Sequence, residues 1–197
     1  MKNNIIINTA IIIFGLSCSE SLHQIELSGL TMGTTYNVKI ISNNTDSNYK
    51  KELHSELNSI LDRINHQMST YIYNSEISTF NNAESTEPFY ISEEFSYVVK
   101  RALHWATTTE GAFDITLVPL LYLWGFGPGQ KGGLTDIFPD EATIQKRKTH
   151  MGYDKLIISK NNLQKTDPYV KIDLNAIAKG FGVDAVCSFL NSKGMKN

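Results

Sequence analysis

Two stretches of this sequence gather residue types that plain core packing does not need. The first is Thr109-Glu110-Gly111-Ala112-Phe113-Asp114-Ile115-Thr116, continuing as Leu117-Val118-Pro119-Leu120-Leu121-Tyr122-Leu123-Trp124-Gly125-Phe126-Gly127. A glycine directly after a helical pattern suits the left-handed C′ position. Ala112, Phe113 and Asp114 then fall on irregular backbone, whose amides can turn towards a ligand. The second stretch is Lys171-Ile172-Asp173-Leu174-Asn175-Ala176-Ile177-Ala178-Lys179-Gly180-Phe181-Gly182-Val183-Asp184. It reads as a strand through Asp173 and Asn175 that enters a helix near Ala176. A helix N-terminus offers unpaired amides and positive partial charge, and Lys179 adds a full charge one turn in, so this end suits a phosphate. Gly180 and Gly182 each cost about 1 kcal/mol against alanine inside a helix. Such a cost is easier to understand where a backbone or a ligand comes close. Taken alone, the stretch reads equally well as a capped amphipathic helix with Lys179 solvated.

Other chemistries are excluded by spacing. Gly127 to Gly132 spells G-x-G-x-x-G, but Pro128 sits inside it and no apolar strand leads in, so it is not the dinucleotide fingerprint. No Gly-Lys-Ser/Thr occurs, which removes the P-loop. The glycine-dense run from Gly125 to Gly133 reads as a mobile loop. His54 and His66 lie off the apolar stripe of their helix without metal-ligand spacing. Two cysteines, Cys18 and Cys187, make neither a disulfide framework nor a four-thiolate zinc site.

The elements that must position these stretches follow from periodicity. Gln24 to Ser28 and Thr35 to Ile41 alternate as strands, the second with Tyr36, Val38 and Ile40 on one face, and Gly29 to Thr34 breaks between them. The mature chain therefore opens with a hairpin. Leu53, Leu57, Ile60, Leu61, Ile64 and Met68 make one helical stripe, with Ser47 or Asn48 as its N-cap. A short capped helix spans Asn74 to Asn81. Ser92 caps a longer one that buries Phe95, Val98, Val99, Ala102, Trp105 and Ala106. A helix from Pro139 to Lys148 and strands at Tyr153 to Ile158, Leu163 to Lys165 and Tyr169 to Ile172 follow.

With 18 Lys plus Arg against 20 Asp plus Glu, the net charge is -2, and no basic stripe points to nucleic acid. The 197 residues suffice for a sizeable core. Residues 1–17 read as a signal peptide, with Lys2 ahead of an Ile-rich run too short and interrupted for a membrane span. Ser17-Cys18 resembles a lipobox, although Gly15 stands where Leu is commonest. Residues 18–23 then form a lipidated tether, with acyl chains on Cys18 anchoring the protein to a membrane of the cell envelope, on its periplasmic or extracytoplasmic side. Residues 24–197 are the folded portion.

Four separated motifs occur in the order seen in one family. They are Thr31-Met32-Gly33-Thr34; Met68-Ser69-Thr70-Tyr71 with Asn74 to Asn81; Gly111 to Thr116 with Pro119 and Leu123 to Gly127; and Asp173 to Gly180. On these the chain resembles the ApbE family of FAD:protein FMN transferases, bacterial flavin transferases that are often lipoproteins. The resemblance implies an α+β fold, ApbE-like (T-fold-like), with antiparallel sheets and packed helices. It implies FAD bound between lobes, Mg²⁺ at the pyrophosphate, and transfer of FMN to a threonine hydroxyl of an acceptor protein with release of AMP. Some relatives instead hydrolyse FAD to FMN and AMP, and the residues here do not separate the two. A flavin-binding lipoprotein without catalysis is a further reading.

By position in the motifs, Met32, Tyr71, Ala112, Phe113 and Asp114 would contact the flavin nucleotide. Asp173 and Lys179 would lie near its phosphates, and Ala176 would offer its backbone carbonyl to the metal. Family members continue into further strands that carry the remaining metal ligands and the candidate general base. The catalytic residues are therefore expected beyond Asn197, and the 197-residue chain itself is expected to turn over poorly if at all.

Overall fold

The computed structural model describes residues 21–130 and 138–195. The leader at 1–17, Cys18, and Lys131, Gly132 and Gly133 of the glycine-dense run lie outside the described residues. Strands β1 (His23–Thr31) and β2 (Thr34–Ser42) form the expected antiparallel hairpin. Its turn is only Met32-Gly33, with φ of 49° and 70°, the paired positive values of a type I′ turn. β1 does not break at Gly29. The ring of the facing Tyr36 covers that glycine so closely that a Cβ there would sit 2.8 Å from it.

Helix α1 (Ser47–Met68) is capped by Asp46, one residue before the expected caps, whose carboxylate accepts from the Asn48 amide at 2.9 Å. Its stripe of Leu53, Leu57, Leu61, Ile64 and Met68 is buried. Ser75 and Ser92 cap α2 (Glu76–Asn82) and, after the short β3 (Phe89–Tyr90), α3 (Glu93–Thr108). Trp105, expected on the buried face of α3, is 44% exposed, with the Arg101 guanidinium 5.9 Å from its ring centroid. It follows Ala102 by three residues and falls just past the edge of the buried stripe. Pro119 opens α4 (Val118–Leu123), and Asp140 caps α5 (Glu141–Lys148). A 3₁₀ turn (Tyr153–Lys155) replaces the first half of the expected strand, leaving β4 (Leu156–Ser159) beside β5 (Asn162–Lys165). The second sheet has the antiparallel order β3-β5-β4. The last described helix is α6 (Asn175–Ser192).

Residues 169–172 are not a strand. Val170, Ile172 and Leu174 are fully buried, so the alternation that suggested a strand is a true burial pattern. The ladder is supplied by a side chain. The buried Asn81 amide donates to the Ile172 carbonyl and accepts from the Ile172 amide, both at 2.8 Å, as a neighbouring strand would.

Two apolar clusters result. The larger packs α2, α3, β4, β5, the 170–174 segment and the end of α1 around Phe80, Phe95 and Leu163. The smaller packs the hairpin on α1 and α6 through Leu27, Ile40, Leu57 and Val186. Met32 at the hairpin tip bridges the two. It packs against the larger cluster, and its Cε would lie 3.2 Å from a Cβ built on Gly182 of α6. Gly182 is thus explained by the close approach of a side chain, whereas Gly180 meets nothing within 4 Å.

Candidate functional site

The end of α3 is where the sequence locates its first corner, and the chain closes that helix one residue earlier than expected. The Gly111 amide bonds the Ala106 carbonyl at 2.8 Å and the Glu110 amide bonds that of Thr107 at 3.2 Å, the paired bonds of a Schellman motif. The left-handed C′ residue is therefore Glu110 at φ 53°, with Gly111 following at φ 84°. A left-handed conformation costs a non-glycine residue about 1 kcal/mol or more.

Beyond this turn Asp114 acts as a bracket. Its Oδ1 accepts from the Thr116 amide at 2.8 Å and the Thr116 hydroxyl at 2.7 Å, and its Oδ2 from the Tyr153 amide at 3.2 Å. Thr116, fully buried, accepts in turn from the Gly152 amide at 2.7 Å. The carboxylate thus ties the corner to the turn before β4. Its neighbour Ile115 gives its carbonyl to the Asp173 amide at 2.8 Å, which fixes the second stretch against the first. Phe113 packs on the larger core, and Ala112 is exposed.

Asp173 stands directly before α6. Its carboxylate accepts from both the backbone and the side-chain nitrogens of Asn175, each at 2.8 Å. Burial pushes the Asp173 carboxyl above the ordinary carboxylate range, a rise that these hydrogen bonds and the Lys179 charge only partly offset. The N-terminal amides of α6 are largely spoken for. Asn175 donates to Asp173, and Ile177 and Ala178 both donate to the Leu174 carbonyl. The expectation of a row of unpaired amides is corrected accordingly. What the helix end contributes to an anion is its dipole and the exposed ammonium of Lys179.

A cleft of 690 Å³ opens between the hairpin tip, the C-terminal turn of α1 and the first turns of α6. Met32, Tyr71 and Lys179 line it, together with Asn65, Met68, Ser69 and Asn175. Three of the residues singled out from sequence therefore meet on one cavity. Ser69 and the turn to Tyr71 are held by the fully buried Ser75, whose hydroxyl donates to the Ser69 carbonyl at 2.7 Å and accepts from the Ser78 amide. Tyr71 is 66% exposed and also borders a smaller recess of 240 Å³ with Tyr73, Tyr122 and Lys171. Burial, and then the nearby Asp173 and Tyr71, raise the Tyr122 phenol, so it stays a neutral hydrogen-bonding group at pH 7.

Ala112, Phe113 and Asp114 do not line the 690 Å³ cleft, and neither do Asp173 and Ala176. Among the described residues, the hydrogen-bonded contact of the first three with the second stretch runs only through Ile115, whose carbonyl accepts from the Asp173 amide, and Ala176 is exposed in the first turn of α6. Among the described residues no group of three His, Cys, Asp or Glu side chains could hold a metal. One backbone carbonyl at Ala176 falls well short of the octahedral oxygen set that Mg²⁺ requires, so these residues do not make a complete metal site. Sequence reasoning missed Tyr122, Asn81 and Lys165. Lys165 is 1% exposed and donates to the carbonyls of Phe80 and Val170 at 3.3 and 3.0 Å, its ammonium 5.0 Å from the Phe80 ring. The available signal was a polar residue on an otherwise buried face at each of Asn81 and Lys165.

A sequence profile described as the ApbE family matches residues 32–197. This chain belongs to the ApbE family. It is 42% identical over 180 residues to an FAD:protein FMN transferase of Vibrio cholerae, covering 91% of this chain and 53% of that protein. It is 38% identical over 186 residues to one of Haemophilus influenzae, covering 92% and 53%. Among solved structures, the flavin transferase ApbE from Vibrio cholerae superposes with a TM-score of 0.82 at 43% identity, covering 90% of this chain and 56% of that one. The apo flavinyl transferase ApbE of Pseudomonas stutzeri gives 0.80 at 32% identity, covering 89% and 55%. The α+β architecture of antiparallel sheets and packed helices is the ApbE fold as far as this chain extends. The chain spans about half the length of the curated relatives it matches.

Proposed function

We propose that this chain is the flavin-holding portion of an FAD:protein FMN transferase, which moves FMN from FAD to a threonine hydroxyl of an acceptor protein. The observation that carries this reading is the convergence of Met32, Tyr71 and Lys179 on one cleft at the start of α6, in a chain of the ApbE family. The exposed Tyr71 ring offers a stacking face to a flat heterocycle, and Met32 an adaptable apolar wall. Lys179 and the α6 dipole place positive charge where a pyrophosphate would lie. Asp173, braced by Ile115 and so by the Asp114 corner, fixes the approach to α6.

In the reaction, the threonine oxygen forms a bond to the FMN-side phosphorus while the bond from that phosphorus to the bridging oxygen breaks; AMP departs with that oxygen, and the threonine hydroxyl proton passes to the AMP phosphate or to solvent. Positive groups held in place before the reaction stabilise the charge that develops on the phosphate oxygens. The described residues bind and orient. Mg²⁺ bound at the pyrophosphate would take at most the Ala176 carbonyl as a ligand from the described residues and would supply further positive charge there.

Titration of FAD into the protein, followed by flavin fluorescence, tests the binding half of this reading. Lys179→Ala should weaken binding about tenfold, the loss of roughly 1.4 kcal/mol that a charge-assisted contact supplies. Unchanged affinity would sink the cleft assignment. The chemistry is read by mass spectrometry of an acceptor domain incubated with FAD, Mg²⁺ and the protein joined to the remainder of an ApbE chain. A gain of one FMN unit marks transfer, and free FMN with AMP marks hydrolysis.

We further propose that Cys18 carries a lipid anchor and holds the protein at the extracytoplasmic face of the cell envelope. The Ser17-Cys18 pattern after an Ile-rich run supports this. Among the described residues no helix is long and apolar enough to cross a membrane. Cys18→Ser should move the protein from the membrane pellet to the soluble fraction, and continued pelleting would refute the anchor.

A further inference from the structure

The 690 Å³ cleft has a neighbour that shares its Tyr71 wall. The recess of 240 Å³ is otherwise lined by residues that the cleft does not use, Thr70, Tyr122 and Lys171 among them. Lys171 is partly buried and, among the described residues, makes neither a hydrogen bond nor an ion pair. The charge that acts on it from within the core is another cation. Burial, and then the Lys171 charge, push the Lys165 ammonium below its ordinary value. The carboxylates that act on this corner are Asp167 and Glu84 on Lys165 and Asp173 on Tyr122, and none of them lines the recess. Its lining therefore holds one cation and no carboxylate.

The hydroxyls there lack acceptors. The Thr70 hydroxyl oxygen is buried without a hydrogen-bond partner, and such a group calls for a water or a ligand. The Tyr122 phenol, kept protonated by burial and then by Asp173 and Tyr71, is free to donate. Its ring is fixed from the loop side. A Cβ on Gly127, at φ 105°, would come within 2.5 Å of that ring, so only glycine lets the chain pass so close. An unpaired ammonium beside hydroxyl donors suits an oxyanion. A volume of 240 Å³ is about eight water volumes, enough for a carboxylate side chain.

The negative charge of FAD is already met elsewhere. It resides on the pyrophosphate, for which the cleft supplies Lys179 and the α6 dipole. The transfer reaction has one other partner, the acceptor protein, whose threonine must reach the same phosphorus. The chain on either side of that threonine has to cross the rim of the cleft, where Tyr71 and Tyr73 expose the phenol rings that interfaces favour. We propose that the recess is an acceptor subsite, in which Lys171, with the hydroxyls of Thr70 and Tyr122, receives the carboxylate of an Asp or Glu side chain within a few residues of the acceptor threonine. The inference rests on the transferase reading and adds to it a sequence preference set by this chain.

The test uses the protein joined to the remainder of an ApbE chain and loaded with FAD. The probes are nonapeptides of alanine and glycine, acetylated and amidated at their ends, with one central threonine and a single Asp at each of the three positions on either side in turn. A matched set carries Asn. Peptide Kd is measured by calorimetry without Mg²⁺, and FMN transfer with Mg²⁺, followed by mass gain, gives KM and kcat separately. At one or more positions Asp should lower Kd and KM about tenfold against Asn with kcat little changed, since the carboxylate is held away from the reacting atoms. Lys171→Gln should erase that advantage and leave FAD affinity within about twofold. Lys171→Glu should turn the preference towards a peptide with Lys at the same position. No position at which Asp exceeds Asn, whether or not the peptides bind, would overturn the proposal, as would an Asp advantage that survives Lys171→Gln. A tenfold loss of FAD affinity in Lys171→Gln would give the recess to the nucleotide and also overturn it. Failure of the transferase reading looks different: FAD does not bind, or Lys179→Ala leaves its affinity untouched.

Discussion

The two apolar clusters of this molecule are built from the same residue types and are finished to different degrees. Phe80, Phe95 and Leu163 at the centre of the larger one have almost no exposed surface, and the segment 170–174, which has no strand partner, is held by Asn81 and Lys165. Around Leu27, Leu57 and Val186 the core is open along β2 and α6. The cleft with Met32, Tyr71 and Lys179 lies at the seam between the hairpin tip and the larger cluster, whose Ile64, Met68 and Ala178 line it. One wall of the site therefore comes from the hairpin tip and the other from the larger core.

The comparison breaks most visibly under truncation. Phe95→Ala, at a side chain with no exposed surface, should cost about 3–5 kcal/mol by urea unfolding, because the cavity cannot collapse in a fully packed core. Val183→Asp on the open side should stay within about 0.5 kcal/mol, as solvent-exposed substitutions do. A loss of several kcal/mol at Val183 would mean that this side of α6 is covered in solution, and the contrast between the two clusters would fail.

Asn81→Ala comes next. It strands the amide and carbonyl of Ile172 in a buried setting, and leaving such groups unpaired costs about 1–3 kcal/mol. Because Ile172 precedes Asp173 directly, the same variant should also weaken FAD binding, which fluorescence titration would reveal. Destabilisation with unaltered flavin affinity would show that the clasp supports the core without positioning the site.

That clasp also marks where sequence reading ends. Periodicity exposed the hairpin, α1 and α3 because a helix stripe or a strand alternation reports which faces are buried. It misread 169–172 for the same reason: burial alternates there too, while the hydrogen bonds go to a side chain 91 positions away. It placed Trp105 inside because Ala102 and Ala106 are, although the indole falls just beyond the stripe. Of the residues that the motifs pick out, Met32, Tyr71 and Lys179 line one cleft, while Ala112, Phe113, Asp114, Asp173 and Ala176 do not. Asp114 was legible as a special carboxylate but not as a bracket, since nothing local announces that its partners are Thr116 and the distant Tyr153. The amides of α6 looked available only because the bond from Asn175 to Asp173 is invisible in the sequence.

Asp173 tests the seam itself. Its folded pKa is raised, mainly by burial, so the folded protein holds this proton more tightly than the unfolded chain does. The sign follows: as pH rises from the unfolded carboxylate value through the raised folded value, stability is lost, and at pH 7 the buried charge is a net cost. Asp173→Asn should remove that slope and leave stability at neutral pH equal or slightly higher, while flavin affinity falls. A variant less stable than wild type at pH 7 but equal at pH 4 would reverse the assignment and make the carboxylate a stabilising group.

A salt-sensitive effect is expected where α3 is fastened to α1. Arg63 donates two parallel hydrogen bonds at 2.9 Å to the carboxylate of Glu94 in the first turn of α3, and Gln67 adds a third at 3.0 Å. The Arg63 bonds are the main reason that the Glu94 carboxyl titrates below its ordinary value, against a burial effect that opposes them. For a carboxyl with a lowered folded pKa, the stabilisation is complete above the unfolded value and disappears as pH falls through the folded one. Glu94→Gln should therefore cost at most about 1 kcal/mol at pH 7, since half of the Arg63 side chain is solvent-exposed and the pair is screened. The difference from wild type should shrink with added salt and close in acid. A cost that persisted unchanged at pH 2 would come from packing of the glutamate stem, and α1 would then be joined to α3 by apolar contact in place of charge.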